Sequence, residues 1–539
     1  MVERPDGRPE TDGYMLSRKD LLVGAGGVLL AGGLAACGGS GTASTGTPSG
    51  STSGGGLKRG GNFRLGVTGG GSGDIIDGQH IVNKPDQARL VAGFETLLVY
   101  DEDYKLQTDG LAQEVTQDSP TQWTIRLKDG ITFHDGKPLT ADDLVYSLQR
   151  IVNLKLGLFG GPGMAVSVDP KTIKKMDNLT VRLPLKQADS TLAEQFGQYY
   201  NGIVPVGYNR KDKAQNGTGP FKLKSFAPGV QSVHVRNENY WRKGEPYFDQ
   251  VTVIDFPDPA AQVNALLAGQ IDAMTDVPFA QLSVIQANNG LAILESPGGG
   301  WLPLCMAIDL PPFDNNDVRQ AFRFMAGRDE IVQQVLSGHG RVANDLFAPF
   351  DSCFSSDIPQ RQQDFEQAKS LLKKAGMEGM TVDLHTTDGA AGMVDHAKVF
   401  AEQAKGAGVT VNVKNDPNFY GSQYLKLPFS VDFWGTRNYL PQVATSMVPG
   451  APFNETHWPP ADSNYLALQK QALAEPDAGK RCDIVHQMQQ LEFDQGGYII
   501  SFYNNLADGY SKKVQGFKPS KSTLNLTSFG HGYRTISFT

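Results

Sequence analysis

Trp123-Thr124-Ile125-Arg126-Leu127-Lys128-Asp129-Gly130-Ile131-Thr132-Phe133-His134-Asp135-Gly136-Lys137-Pro138-Leu139-Thr140-Ala141-Asp142-Asp143-Leu144 is the stretch on which the fold reading turns. Its first half alternates apolar and polar residues, and Asp129-Gly130 supplies a turn signal, so residues 124–127 and 131–133 read as a hairpin. Its second half changes period. Thr140 can cap a helix with Asp143 three residues on, and Leu144, Leu148 and Ile151 make the apolar stripe. A strand period that gives way so quickly to a helical one points to a mixed α/β protein.

The mixture continues outward in both directions. Residues 61–67 read as a strand. Val318, Phe322 and Met325 recur at helical spacing, Asp364 with Gln367 can open the next helix, and Gly376 supplies its stop. Residues 381–386 and 409–413 read as strands flanking a helix near 394–405, the β-α-β signal of a parallel sheet. A helix over about 478–494 ends at Gly496-Gly497, and a strand over 498–503 follows. Along Trp301-Leu302-Pro303-Leu304-Cys305-Met306 both faces are apolar, which predicts a buried strand. Trp301 reaches a cleft or packs in a core, and the pattern leaves both readings open.

The chain has 539 residues and a net charge of −8, with 40% hydrophobic residues. That is ample for more than one globular domain, and the acidic balance argues against a nucleic-acid partner. The N-terminal part carries an address. Arg18 and Lys19 precede an apolar run over 21–34, too short to span a bilayer and right for a signal peptide. Leu34-Ala35-Ala36-Cys37 reads as a lipobox, with residues 1–36 removed and Cys37 lipidated. Residues 38–56 lack charged and large apolar side chains and read as a flexible tether, so that 37–57 form a lipidated linker. Ser17-Arg18-Lys19 also resembles a twin-arginine signal, leaving the export route open. The mature chain is expected outside the cytoplasm, anchored to the cell membrane. Beyond Cys37 there are Cys305, Cys353 and Cys482. At most one pair can form; Cys305–Cys353 is the pairing considered, with Cys482 expected as a buried free thiol.

Catalytic motifs are weak. The glycine-rich stretch 66–74 lacks the Lys of a phosphate loop and reads as a flexible loop beside a cleft. His134-Asp135 reads as a polar turn, since no nucleophile motif accompanies it. His385 and His396, with Asp383, Asp388 and Asp395, match no ligand spacing and read as solvated loop residues. No cofactor and no metal site is expected, and the chain is not expected to be an enzyme. Trp434 and Trp458 lie in Gly-, Pro- and Asn-rich segments, where aromatic residues on a rigid scaffold serve binding.

Several blocks, in this order, resemble the bacterial extracellular solute-binding proteins of family 5, the dipeptide- and oligopeptide-binding proteins of ABC importers. They are Phe94-Glu95-Thr96-Leu97-Leu98-Val99-Tyr100-Asp101, the stretch quoted above, Asn216-Gly217-Thr218-Gly219-Pro220-Phe221, Asn239-Tyr240-Trp241, Leu266-Leu267-Ala268-Gly269-Gln270-Ile271-Asp272-Ala273, and Pro311-Pro312-Phe313-Asp314 with Val318-Arg319-Gln320-Ala321. The resemblance implies a periplasmic-binding-protein-like fold of type II, two lobes on a hinge with an extra inserted subdomain. Lobe I would comprise 58–95, 213–308 and 497–539, the insert 96–212, and lobe II 309–496, with crossings near Asp309 and Gly497. Peptide binders of this kind often carry an Asp after the second-lobe Trp to meet the ligand amine. Here the run is Trp434-Gly435-Thr436-Arg437-Asn438, without a carboxylate, and Arg437 favours an anion. The expected ligand-binding residues are Trp301, Trp434, Arg437, Asn438 and Trp458. The expected role is a monomeric lipoprotein that delivers peptides, or a similar small polar solute, to ABC permease subunits. The alternatives are the same architecture for a nickel chelate, an oligosaccharide or a polyamine, or a surface receptor without transport.

Overall fold

The computed structural model describes residues 57–539 except 82, 211–214, 461–462, 523–525 and 527–531. The segments read as signal peptide and tether, and Cys37 between them, therefore lie outside the described residues. None of the described helices is long and apolar enough to cross a membrane.

Two sheets carry the molecule. In the larger one, Leu291–Gly300, Phe502–Ser511, Ala273–Met274, Asn62–Thr68, Gln250–Phe256, Gln231–Arg236 and Phe221–Ala227 lie side by side in that order, and Gly340–Val342 also pairs with Phe502–Ser511. Asn62–Thr68 runs parallel to both its neighbours. Phe63, Leu65 and Val67 alternate into a core shared with Phe248, Val251 and Val253, as a half-covered strand requires. The second sheet has the order Thr410–Asn415, Thr381–Thr386, Phe429–Val431, Leu304–Met306, Tyr498–Ile499. Its first two strands pair in parallel around the helix Met393–Ala404, as the β-α-β pattern predicts.

The predicted two-faced strand separates two cores. Leu302, Leu304 and Met306 enter one cluster with Val318, Phe322 and Met325 of the helix Asn316–Met325. Trp301 and Cys305 enter another with Trp434, Trp458 and Tyr498. The chain passes from the larger sheet to the smaller between Gly300 and Leu304, ahead of the crossing expected near Asp309. It touches the larger sheet again at Gly340–Val342 and passes back to it finally between Ile499 and Phe502. The strand predicted over 498–503 is thus two strands belonging to different sheets.

A third core lies between. Ala112–Ser119, Gln122–Leu127, Thr180–Pro184 and Lys174–Lys175 form a four-stranded sheet under the helix Ala141–Ile151, whose Leu144, Leu148 and Ile151 are buried. Thr140 N–H donates to Asp143 Oδ2 at 2.9 Å, the reciprocal half of the predicted capping box. The predicted hairpin is corrected. Gln122–Leu127 has both edges filled, by Ala112–Ser119 and Thr180–Pro184, so residues 131–133 turn back on 137–139 instead.

The cysteine expectation is also corrected. Cys353 and Cys482 form the disulfide, with Cα atoms 4.6 Å apart, and Cys305 is the buried free thiol. Cys305 stands on a strand paired on both sides, whereas Cys353 lies in a loop laid over the helix Ala478–Gln495 that carries Cys482. His396 departs from its reading as well. It is fully buried in the helix Met393–Ala404 beside Phe502 and Ser501, and burial pushes its imidazole down to about 3. The glycine-rich loop is pinned at its end: Asp74 accepts from Gly71 N–H at 2.8 Å and from Arg89 at 3.0 Å.

Candidate functional site

The segment leaving Phe429–Val431 builds the wall between the two sheets. Trp434 exchanges both backbone hydrogen bonds with Trp301, at 3.0 and 2.9 Å. The pairing holds the rings stacked with centroids 6.1 Å apart. The stack continues through Phe347, 5.5 Å from Trp301, to Tyr439, 5.1 Å further. Such rings contribute large buried areas and a rigid shape. Thr436 then ties the segment to its surroundings. Its Oγ1 accepts from Gly299 N–H and donates to Lys521 O, both at 3.0 Å.

Arg437 follows. Its guanidinium stands 5.2 Å from the Trp434 ring centroid, a cation–π arrangement, and the residue is half-buried. Asn438 caps the helix Tyr439–Ser446 with its backbone only; its side chain makes no capping bond and instead meets the Glu194 carboxylate. The structure thus brings Trp301, Trp434, Arg437 and Asn438 together. Trp458 lies in the same apolar cluster, edge-on to Tyr465 at 5.7 Å and, like Trp301, 1% exposed.

The opposite wall went unread in the sequence. Tyr100 and Tyr104 stack at 4.3 Å, and Tyr199 and Phe350 pack against them. Tyr104 hydroxyl donates to Thr436 O at 3.2 Å, joining the walls. Burial raises the hydroxyls of Tyr104, Tyr199 and Tyr200, and the Arg437 charge opposes that rise at all three. Ser190 N–H donates to Leu473 O at 2.8 Å, a second contact between the inserted body and the far one. Glu194, in the short helix Leu192–Phe196, lies within reach of the Asp351 charge and of the Asn438 side chain. Burial, with the Asp351 charge adding to it, pushes Glu194 up to about 8. Of this wall, the sequence marks Tyr100 alone, as part of the block Phe94–Asp101 and without a binding role. Glu194 and Asp351 carry no signal, because the fold alone brings them together.

The arrangement offers one guanidinium, an amide, buried carboxyl groups and aromatic faces. That set suits reversible capture of a small polar solute. Among the described residues no cluster of His, Cys, Asp and Glu could hold a metal ion. A separate cavity of about 470 Å³ is lined by Tyr146, Arg150, Tyr208 and Arg210, among others. Its Arg150 is committed to Asp77 at 2.7 Å and to Gln79 at 2.6 Å.

Known proteins share this plan. The chain is 26% identical over 448 residues to the dipeptide-binding protein of Escherichia coli, covering 76% of this chain and 83% of that one. Its fold is similar to an ABC transporter substrate-binding protein, CtaP, of Listeria monocytogenes (TM-score 0.77, 22% identity, 89% of this chain and all of that one). It is also similar to NikZ of Campylobacter jejuni, solved with Ni(L-His) (TM-score 0.75, 18% identity, 88% of this chain and 99% of the other). The two-lobed periplasmic-binding-protein-like fold implied by the sequence resemblance is therefore the fold of this chain. The model of the bacterial extracellular solute-binding proteins, family 5, matches residues 108–452. With nearly two-thirds of its length inside that match, the chain belongs to the family 5 extracellular solute-binding proteins.

Proposed function

We propose that this protein is the lipid-anchored, extracytoplasmic substrate-binding component of an ABC importer that captures peptides, or a similar small polar solute, between its lobes. The observation that carries the reading is Arg437 stacked on Trp434 and facing Tyr104, Tyr199 and Tyr200 from the other body. A guanidinium held over an aromatic ring at a seam between two bodies is placed to take a carboxylate while the rings cover apolar side chains. No bond chemistry is required. Ligand that contacts both walls favours the closed state by its differential affinity, and that state is what a permease would recognise.

The reading is tested by titration calorimetry of the purified chain against a panel of peptides and small solutes. Arg437→Ala is expected to weaken the best ligand about 10- to 100-fold, the loss of one charge-assisted contact of about 1.5–3 kcal/mol. Trp434→Ala is expected to weaken it by a smaller factor. Unchanged affinity in both variants would remove the site assignment. NikZ holds a nickel–histidine complex, and that solute class belongs on the same panel.

A further inference from the structure

Arg437 supplies one pole of the cleft, and a second pole of opposite sign stands across it. Glu194 Oε2 is sealed from solvent and has no hydrogen-bond partner among the described residues. The rest of the residue is fixed: its carbonyl accepts from Tyr100 hydroxyl at 3.3 Å. Asp351, whose charge acts on Glu194, is fixed in place by the backbone N–H groups of Tyr439 at 2.7 Å, to Oδ2, and of Cys353 at 2.8 Å, to Oδ1. The charges that Glu194 feels are Asp351, Asp189 and Arg481, and Asn438 contributes a hydrogen bond. Asp189 is already occupied by Ser167 and by Thr191, each at 2.9 Å. Tyr100 and Tyr104, stacked beside Glu194, present aromatic faces of the kind that attract cations.

A dry carboxylate with an unanswered oxygen is costly unless a proton or a cation meets it. Arg481 is the single cation among the charges that reach it, and it counts for less there than either burial or Asp351. We propose that Glu194, with Asp351 behind it, is the subsite for a protonated amine of the captured solute, at the opposite pole from Arg437. The cleft then selects a zwitterion whose carboxylate and ammonium are separated by the width of the seam. This rests on the solute-binding reading above and narrows it to a class. It also gives the missing carboxylate after Trp434 a replacement from the other body.

Balance of charge makes the proposal measurable. Without solute the Glu194 carboxyl keeps its proton at neutral pH, because burial and the Asp351 charge hold it up at about 8. An ammonium entering the subsite displaces that proton to solvent. The experiment is titration calorimetry of the purified chain at pH 7 in two buffers of different ionisation enthalpy. The probes are a mixed tripeptide pool and the same pool N-acetylated. Wild type is expected to prefer the free-amine pool by about tenfold or more and to release about one proton on binding it. Glu194→Gln keeps the shape of the side chain and is expected to bind both pools alike with no proton release. Its fold is checked by its urea midpoint. Equal binding of the two pools by wild type overturns the subsite and leaves the solute-binding reading standing. So does an unaltered amine preference or proton count in Glu194→Gln. Binding of neither pool overturns the peptide reading and the subsite with it.

Discussion

At the scale of single residues, buried carboxyl groups decide how this protein responds to pH. Glu492, on the helix Ala478–Gln495, is the firmest case. Tyr439 and Tyr465 hydroxyls both donate to its Oε1, and Arg323 lies nearby, bonded to its carbonyl at 3.1 Å. Burial outweighs these contacts and pushes Glu492 up to about 8, from an ordinary value of 4.5. The folded state therefore binds a proton that the unfolded state has released. Through that window stability falls as pH rises, because the native form holds the extra proton. Glu492→Gln keeps an acceptor for both tyrosines and removes the ionisation. In urea unfolding at pH 5.5 and 8.0 the variant is expected to lose less stability over the interval than wild type; parallel losses would refute the assignment. Residues of this kind are poorly legible in a sequence. Arg437 and Trp434 could be picked out because a family pattern marks their place. Glu194, Asp351 and Glu492 look like ordinary helix and loop acids until the fold withdraws them from water.

Among elements, legibility follows locality. The cap of Ala141–Ile151 and the left-handed stop at Gly376 (φ 68°) are decided within a few residues, and both are readable in advance. Strand partners are not. Residues 122–127 look ready for a hairpin with 131–133, yet partners from 112–119 and 180–184 occupy both edges. The disulfide behaves the same way, since its partners are 129 positions apart. The loop it ties down carries Phe347, Phe350 and Asp351 to the seam, and Gln489 holds it again by accepting from Ser355 N–H at 2.7 Å and donating to Cys353 O at 3.1 Å. Replacing Cys353 and Cys482 together by serine is expected to lower the unfolding free energy by about 2–4 kcal/mol. Solute affinity should fall with it, as the loop loosens. Denaturant titration checks the first and calorimetry the second; an unchanged denaturation midpoint would count against the disulfide's role.

For the molecule as a whole, the proposed division of labour is between a tether, expected from the sequence, and a two-walled body, which the fold supplies. Cys37→Ser is expected to move the protein from the membrane fraction to the soluble extracytoplasmic fraction while leaving solute affinity unchanged. Fractionation and calorimetry test the pair, and retention at the membrane would refute the lipid anchor. Two of the crossings between the sheets, at 300–304 and 499–502, lie next to each other: Gly300 is in register with Asn504, and Leu304 with Ile499. Trp301 sits on the first of these crossings, bonded through its backbone to Trp434. Of the five tryptophans in the chain, these two form a stacked chromophore pair where the chain passes from one sheet to the other. The coupling of their ring transitions depends on separation and tilt. A lobe movement that shifts one ring against the other would therefore register in the protein's own absorption and emission, with no added dye.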